Sequence, residues 1–195
     1  MKLVIINYGA GNIQSIKFAF KRLGYEAVLS DDANEIRTAD RVIFPGVGEA
    51  SSAMNKLKAS GLDKVIPELK QPVLGICLGM QLMCHSSEEG NTLGLGIFDT
   101  DVVRFTKNVK VPQIGWNQIS DLKSPLFKGV AEKDHIYLVH SYYAPICTET
   151  IAISEYELAY SSALRKENFY GVQFHPEKSS KVGERILKNF LELSY

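Results

Sequence analysis

Short apolar runs alternate with amphipathic stretches through the first half of the chain. Leu3–Ile6 is followed by an amphipathic segment over residues 13–23 that stops at Gly24, then by apolar runs at 27–29 and 42–44. That rhythm predicts β-α-β units. The runs are continuous rather than alternating, and a further one stands at Val73–Ile76. Strands with no polar face belong in a parallel sheet covered by helices on both sides. The expected scaffold is therefore α/β, an open and mostly parallel sheet flanked by helices. Beyond about Gly90 the texture changes to segments such as 136–140 and 169–174, which predict mostly antiparallel strands and turns. The closing stretch, 179–193, is predicted as a helix, because Val182, Ile186, Leu187, Phe190 and Leu191 recur at helical spacing and Ser179 or Ser180 can cap its start.

Composition adds limits to this picture. A chain of 195 residues, 45% of them hydrophobic, suits one sizeable core, so residues 1–195 are read as a single domain. Twenty-two basic against twenty-two acidic side chains leave no net field to draw nucleic acid or an anionic membrane, and neither is expected as a partner. The apolar run after Lys2 is only four residues, far short of a signal-peptide core, so a soluble cytoplasmic protein is expected. Three cysteines, Cys77, Cys84 and Cys147, form no CxxC pair, which points away from a disulfide framework and a cysteine zinc site. No metal and no cofactor are expected.

Candidate chemistry begins at Val73-Leu74-Gly75-Ile76-Cys77-Leu78-Gly79-Met80-Gln81, a buried-type strand running into a helix-type segment with a glycine two residues either side of Cys77. This is the pattern of a nucleophile elbow carrying sulfur. The turn is strained, and Cβ atoms at the flanking positions would collide with the adjoining strand or helix. The helix that follows presents unpaired amides, which favour thiolate over thiol and make the Leu78 amide a first oxyanion donor. A buried structural cysteine at a tight turn is the competing reading.

Two further segments bear on that choice. In Gln173-Phe174-His175-Pro176-Glu177, the proline disfavours helix at His175, so the chain is expected to be extended there with His175 and Glu177 on one side. Such a pair supplies a base and the carboxylate that orients it, although an isolated HPE is more often a solvated strand end. Phe44-Pro45-Gly46-Val47-Gly48 ends another buried-type strand in a glycine-rich turn, from which Val47 can offer a second oxyanion amide. No Lys-Ser/Thr follows the glycines, as a phosphate-binding loop would require.

Together these segments resemble the class I, or triad, glutamine amidotransferases, whose PG(V/G)G, GxCxGxQ and HPE patterns are met at 45–48, 75–81 and 175–177. The match spans nearly the whole chain. Within the family, Asn7-Tyr8-Gly9-Ala10-Gly11-Asn12, Gly115-Trp116-Asn117, His140-Ser141-Tyr142-Tyr143 and the segment 173–179 look like the glutaminase subunit of imidazole glycerol phosphate synthase. The resemblance implies a flavodoxin-like fold with additional antiparallel strands in the C-terminal half. It implies hydrolysis of L-glutamine through a thioester on Cys77, with His175 as acid and base and Glu177 as its orienter. Gly48, Gln81, His140, Ser141 and Tyr142 match the glutamine pocket. Asn12 and Lys181 match positions facing a (β/α)8-barrel cyclase subunit, with which a heterodimer is implied. That partner uses the ammonia to form imidazole glycerol phosphate and an aminoimidazole carboxamide ribonucleotide in histidine biosynthesis.

Other triad glutaminases, serving anthranilate, pyridoxal phosphate, guanylate or carbamoyl phosphate synthesis, share the chemistry but not the NYGAGN and HSYY segments together. A non-catalytic scaffold would be suspected had a triad residue been replaced. A cysteine peptidase or redox sensor would not need the HPE and glutamine-pocket matches. Cys84, Cys147, His85 and His135 have no elbow or acid partner near them in sequence and are read as structural, and Trp116 as a core or interface aromatic.

Overall fold

A computed structural model describes residues 1–106 and 108–194. In chain order the elements are β1 (Leu3–Ile6), α1 (Ile13–Arg22), β2 (Ala27–Ser30), α2 (Ala33–Arg37), β3 (Arg41–Phe44), α3 (Ala50–Ser60), α4 (Leu62–Val65), β4 (Val73–Ile76) and α5 (Leu78–Leu82). The second half adds β5 (Cys84–Ser87), β6 (Thr92–Leu93), β7 (Phe98–Arg104), β8 (Gln113–Gln118), β9 (His135–His140), β10 (Tyr142–Tyr143), β11 (Thr150–Glu155), β12 (Ala159–Lys166), β13 (Phe169–Val172) and α6 (Ser180–Glu192).

Seven strands form the main sheet in the order β11-β12-β13-β4-β3-β1-β2. Its centre is parallel, as the continuous apolar runs predict: β2 with β1, β1 with β3, β3 with β4, and β4 with β13. Alternate residues of β1 enter opposite cores. Leu3 and Ile5 pack with Ile16 and Phe20 of α1 and Ile186 and Phe190 of α6, while Val4 and Ile6 pack with Met54 and Leu57 of α3. Each fully buried aliphatic side chain of this kind contributes about 1.5–3 kcal/mol by leaving water.

The C-terminal half departs in part from the expected antiparallel pattern. β11 and β12 pair antiparallel, as do β8 and β9, but β13 lies parallel to β4 and β5 lies parallel to β7. Inserted beside β4, β13 takes the direction of the central strands. The parallel arrangement has a functional consequence: β1, β3, β4 and β13 all end at the same edge, where open α/β sheets place their sites. The chain leaving β13 is tied there to the β8-β9 ribbon, since the His175 N–H donates to the Tyr137 carbonyl at 2.9 Å. Among the described residues no helix is long and apolar enough to cross a membrane.

Candidate active site

At the end of β4 the Cys77 N–H donates to the Val172 carbonyl at 2.8 Å, and the chain then turns sharply with Cys77 at φ 53° and ψ −112°. A non-glycine residue in that region stores about 1–3 kcal/mol of strain. The flanking glycines are what allow it. A Cβ on Gly79 would stand 2.0 Å from the Phe44 carbonyl oxygen, and one on Gly75 would stand 2.8 Å from the Met80 amide nitrogen. The elbow thus packs directly against the turn that follows β3. α5 is short, five residues, and starts directly after Cys77, so its first-turn amides stand at the elbow.

His175 is extended, with φ −98° and ψ 96°, as Pro176 requires. Its Nδ1 lies 2.8 Å from Glu177 Oε1, with the two side chains 5% and 1% exposed. They do not meet through strand alternation, because residues 176–178 form a single 3₁₀ turn that swings the carboxylate back under the ring. Ser179 locks this turn: its Oγ donates to the His175 carbonyl at 2.7 Å and accepts from the Tyr137 N–H at 2.9 Å. The hydroxyl is therefore not the helix cap the spacing suggested, and neither Ser179 nor Ser180 caps α6 through its side chain. Burial opposes charge on the His175 ring, but hydrogen bonds to Cys77 and Glu177, with their charges, outweigh it and raise its pKa to about 10. The imidazole is held protonated between an acid-derived anion and the sulfur.

Cys77 and His175 open onto a cavity of about 500 Å³. Val47, Gly48, Leu78, Gln81, His140, Ser141, Tyr142 and Asn12 all line it, so one site gathers residues from five separate sequence segments. Gly48 has φ 95°, a conformation that favours glycine, and it lets the turn after β3 skirt the cavity. The His140 side chain faces inward to the protein, with Nδ1 2.8 Å from the Tyr142 carbonyl and Nε2 2.9 Å from the Gln113 side chain. Gln81 also reaches the Tyr142 carbonyl, its Nε2 donating at 2.9 Å. Lys181 is not part of the lining and stands exposed on α6. No group of three or more metal-ligating side chains occurs among the described residues.

The family model described as glutamine amidotransferase class I matches residues 4–193. The chain belongs to the class I glutamine amidotransferases. Curated relatives include the imidazole glycerol phosphate synthase subunit HisH of Bacteroides fragilis strain YCH46, 59% identical over 99% of this chain and 100% of the relative. The HisH subunit of Haemophilus influenzae strain Rd is 47% identical over 98% of each chain. Among solved structures, one titled as a glutamine amidotransferase superposes with a TM-score of 0.75 over 97% of each chain at 20% identity, which speaks for the fold.

Two residues of this amidotransferase, one lining the cavity and one buried behind Cys77, were given no role by the motifs. Glu89 lines the cavity, and its Oε2 accepts from the Ala50 N–H at 2.9 Å. Burial raises its pKa, against the effect of that hydrogen bond. In sequence it is one of two adjacent glutamates with nothing to separate it from a solvated pair. Gln173 is fully buried, with Nε2 3.7 Å from Cys77 Sγ. The remaining expectations sort simply. Cys84 is buried, and burial pushes its thiol up. His85 does find an acid partner, Asp101 at 2.8 Å, but on an exposed surface. Trp116 is 54% exposed and so is not core.

Proposed function

We propose that the chain is the glutaminase subunit of an imidazole glycerol phosphate synthase, acting as one domain that hydrolyses L-glutamine and hands ammonia to a cyclase partner in histidine biosynthesis. The observation that carries this reading is Cys77 at a strained elbow, opening onto the same cavity as a histidine whose Nδ1 is 2.8 Å from Glu177. The names of the full-length relatives support the choice of pathway.

In this mechanism Cys77 Sγ attacks the side-chain amide carbon of glutamine. The developing oxyanion is received by the amides of Leu78 and Val47, each donor of this type being worth about 2.7–4 kcal/mol in the transition state. His175, charged at rest, gives its proton to the departing ammonia and leaves a glutamyl thioester on Cys77. The neutral ring then takes a proton from the water that attacks the thioester, and glutamate leaves as the sulfur is regenerated. Glu177 keeps the ring in the tautomer that both steps need. No step draws on a metal or cofactor.

Glutamine also presents an ammonium and a carboxylate. Glu89 is the carboxylate in the cavity lining that can take the ammonium, while Gly48, Gln81 and the backbone of His140, Ser141 and Tyr142 hold the other polar ends. Asn12, on the cavity rim, and Lys181, on α6, belong to the face that meets a (β/α)8-barrel cyclase subunit in a heterodimer. The test is glutamate release from L-glutamine by the purified chain, with and without a cyclase barrel and its nucleotide ligand. A large rise in the complex supports the glutaminase, its pathway and their coupling together. A folded chain that releases no glutamate in either condition would overturn the reading.

A further inference from the structure

The mechanism leaves one close neighbour of the nucleophile without a role. Gln173 is 0% exposed, its N–H donates to the Ser162 carbonyl at 2.9 Å, and its side-chain amide lies against Cys77 Sγ at 3.7 Å. A side-chain amide has nearly the same shape either way round, so which end faces the sulfur follows from its hydrogen bonds. Tyr142 decides it. A carbonyl oxygen only accepts, and Gln81 lies 2.9 Å from it, so Gln81 turns its NH2 group towards Tyr142. The second hydrogen of that NH2 points at Gln173 across 2.9 Å, which requires Gln173 to offer its oxygen. The NH2 of Gln173 is then left for the sulfur. His140 pins the starting point, since its Nδ1 donates to the same Tyr142 carbonyl at 2.8 Å.

A second contact shows what a donor does here. The Val139 carbonyl oxygen is also 3.7 Å from Sγ, where it accepts from a thiol and repels a thiolate. An N–H donor at the same distance counters that preference, because a hydrogen bond to the charged form favours it. We propose that Gln173 is a further catalytic residue: its side-chain NH2 hydrogen-bonds to the Cys77 sulfur and holds it as the thiolate, in an orientation fixed through Gln81 by the Tyr142 carbonyl. This deepens, and rests on, the reading of Cys77 as the nucleophile.

The test is the pH dependence of Cys77 alkylation by iodoacetamide, followed by mass spectrometry of its peptide, beside glutamate release in the complex. Gln173→Met keeps close to the volume, adds no charge and removes the donor to sulfur. The alkylation midpoint moves up by about one to two pH units, and kcat falls about ten- to a hundredfold, the range of one hydrogen bond to a charged group. KM for glutamine stays within about threefold, because the loss falls on the reacting atom rather than on substrate binding. Gln81→Met is the second variant: without adding charge it removes the donor that fixes the Gln173 amide, and it raises the midpoint by a smaller amount without touching position 173. Midpoints that overlay the wild type in both variants would overturn the proposal. The expected shifts in a chain that releases no glutamate would support the sulfur contact and refute the glutaminase reading.

Discussion

His175 and His140 line the same cavity and are 4% and 6% exposed, yet their surroundings drive them apart. Burial pushes both rings towards the neutral form. Around His140 only the hydrogen bond to the Tyr142 carbonyl resists: Phe105 and Tyr160 lie tilted beside it at 5.3 Å, and burial, helped by the charge of His175, lowers its pKa to about 4. Around His175 the Cys77 sulfur and the Glu177 carboxylate overcome the same burial and raise its pKa to about 10. Position in a pocket therefore does not make a histidine catalytic. The charge of its partners distinguishes the two, and here it separates the ring proposed to move protons from one that holds backbone in place.

The comparison is broken most completely by removing the sulfur. Cys77→Ala is expected to cut glutamate release by about 10⁴-fold or more, as loss of a nucleophile does in triad enzymes, while the cyclase partner keeps its activity with ammonium salts at high pH. Loss of both activities would assign Cys77 a structural role instead. Glu177→Gln comes next. It preserves shape but withdraws the charge that supports the imidazolium, so kcat is expected to fall about 10²- to 10⁴-fold, and the His175 titration followed by NMR to move down from about 10. A titration that stays in place would show that Cys77 alone sustains the charge. Glu89→Gln should do less, raising KM for glutamine about ten- to a hundredfold with kcat nearly unchanged, because its proposed partner is the ammonium rather than the reacting bond.

These residues also mark where the sequence could and could not be read. The parallel strands and the elbow were legible because each is a local pattern with a local cause: apolar runs with no polar face, and glycines where a Cβ would meet the Phe44 carbonyl oxygen. Cys77, His175 and Glu177 stood out for the same reason. Glu177 nevertheless reaches its histidine by a 3₁₀ turn, and extended-strand alternation gave the right pair through the wrong geometry. Glu89, and a role for Gln173 within its quoted segment, were hidden because their surroundings come from elsewhere in the chain. Glu89 is fixed by the start of α3, and Gln173 by Gln81 and, through it, by Tyr142. The hydroxyl of Ser179 was assigned to a helix terminus on spacing alone, whereas β9 and the His175 carbonyl claim it.

The smallest effect sharpens the comparison through stability. His175 has a folded pKa of about 10, above the ordinary histidine value of 6.5, so folding takes up a proton there. Its contribution is fully present below about pH 6.5 and is lost as pH rises through 10. His140 has a folded pKa of about 4, below the same reference, so its unfolded form binds the proton more readily. Its contribution is present above about pH 6.5 and is lost as pH falls through 4. The two limbs can be separated by chemical denaturation across pH. His175→Gln should flatten the alkaline limb and, by removing a charge that helps to lower the His140 pKa, shrink the acid limb slightly, whereas His140→Leu should flatten the acid limb and leave most of the alkaline one. His140→Leu should also lower stability at neutral pH by about 1–3 kcal/mol, since the Tyr142 carbonyl and the Gln113 amide lose a buried partner. Parallel changes in both variants on both limbs would mean that the two rings titrate as one coupled unit, and the contrast between them would fall.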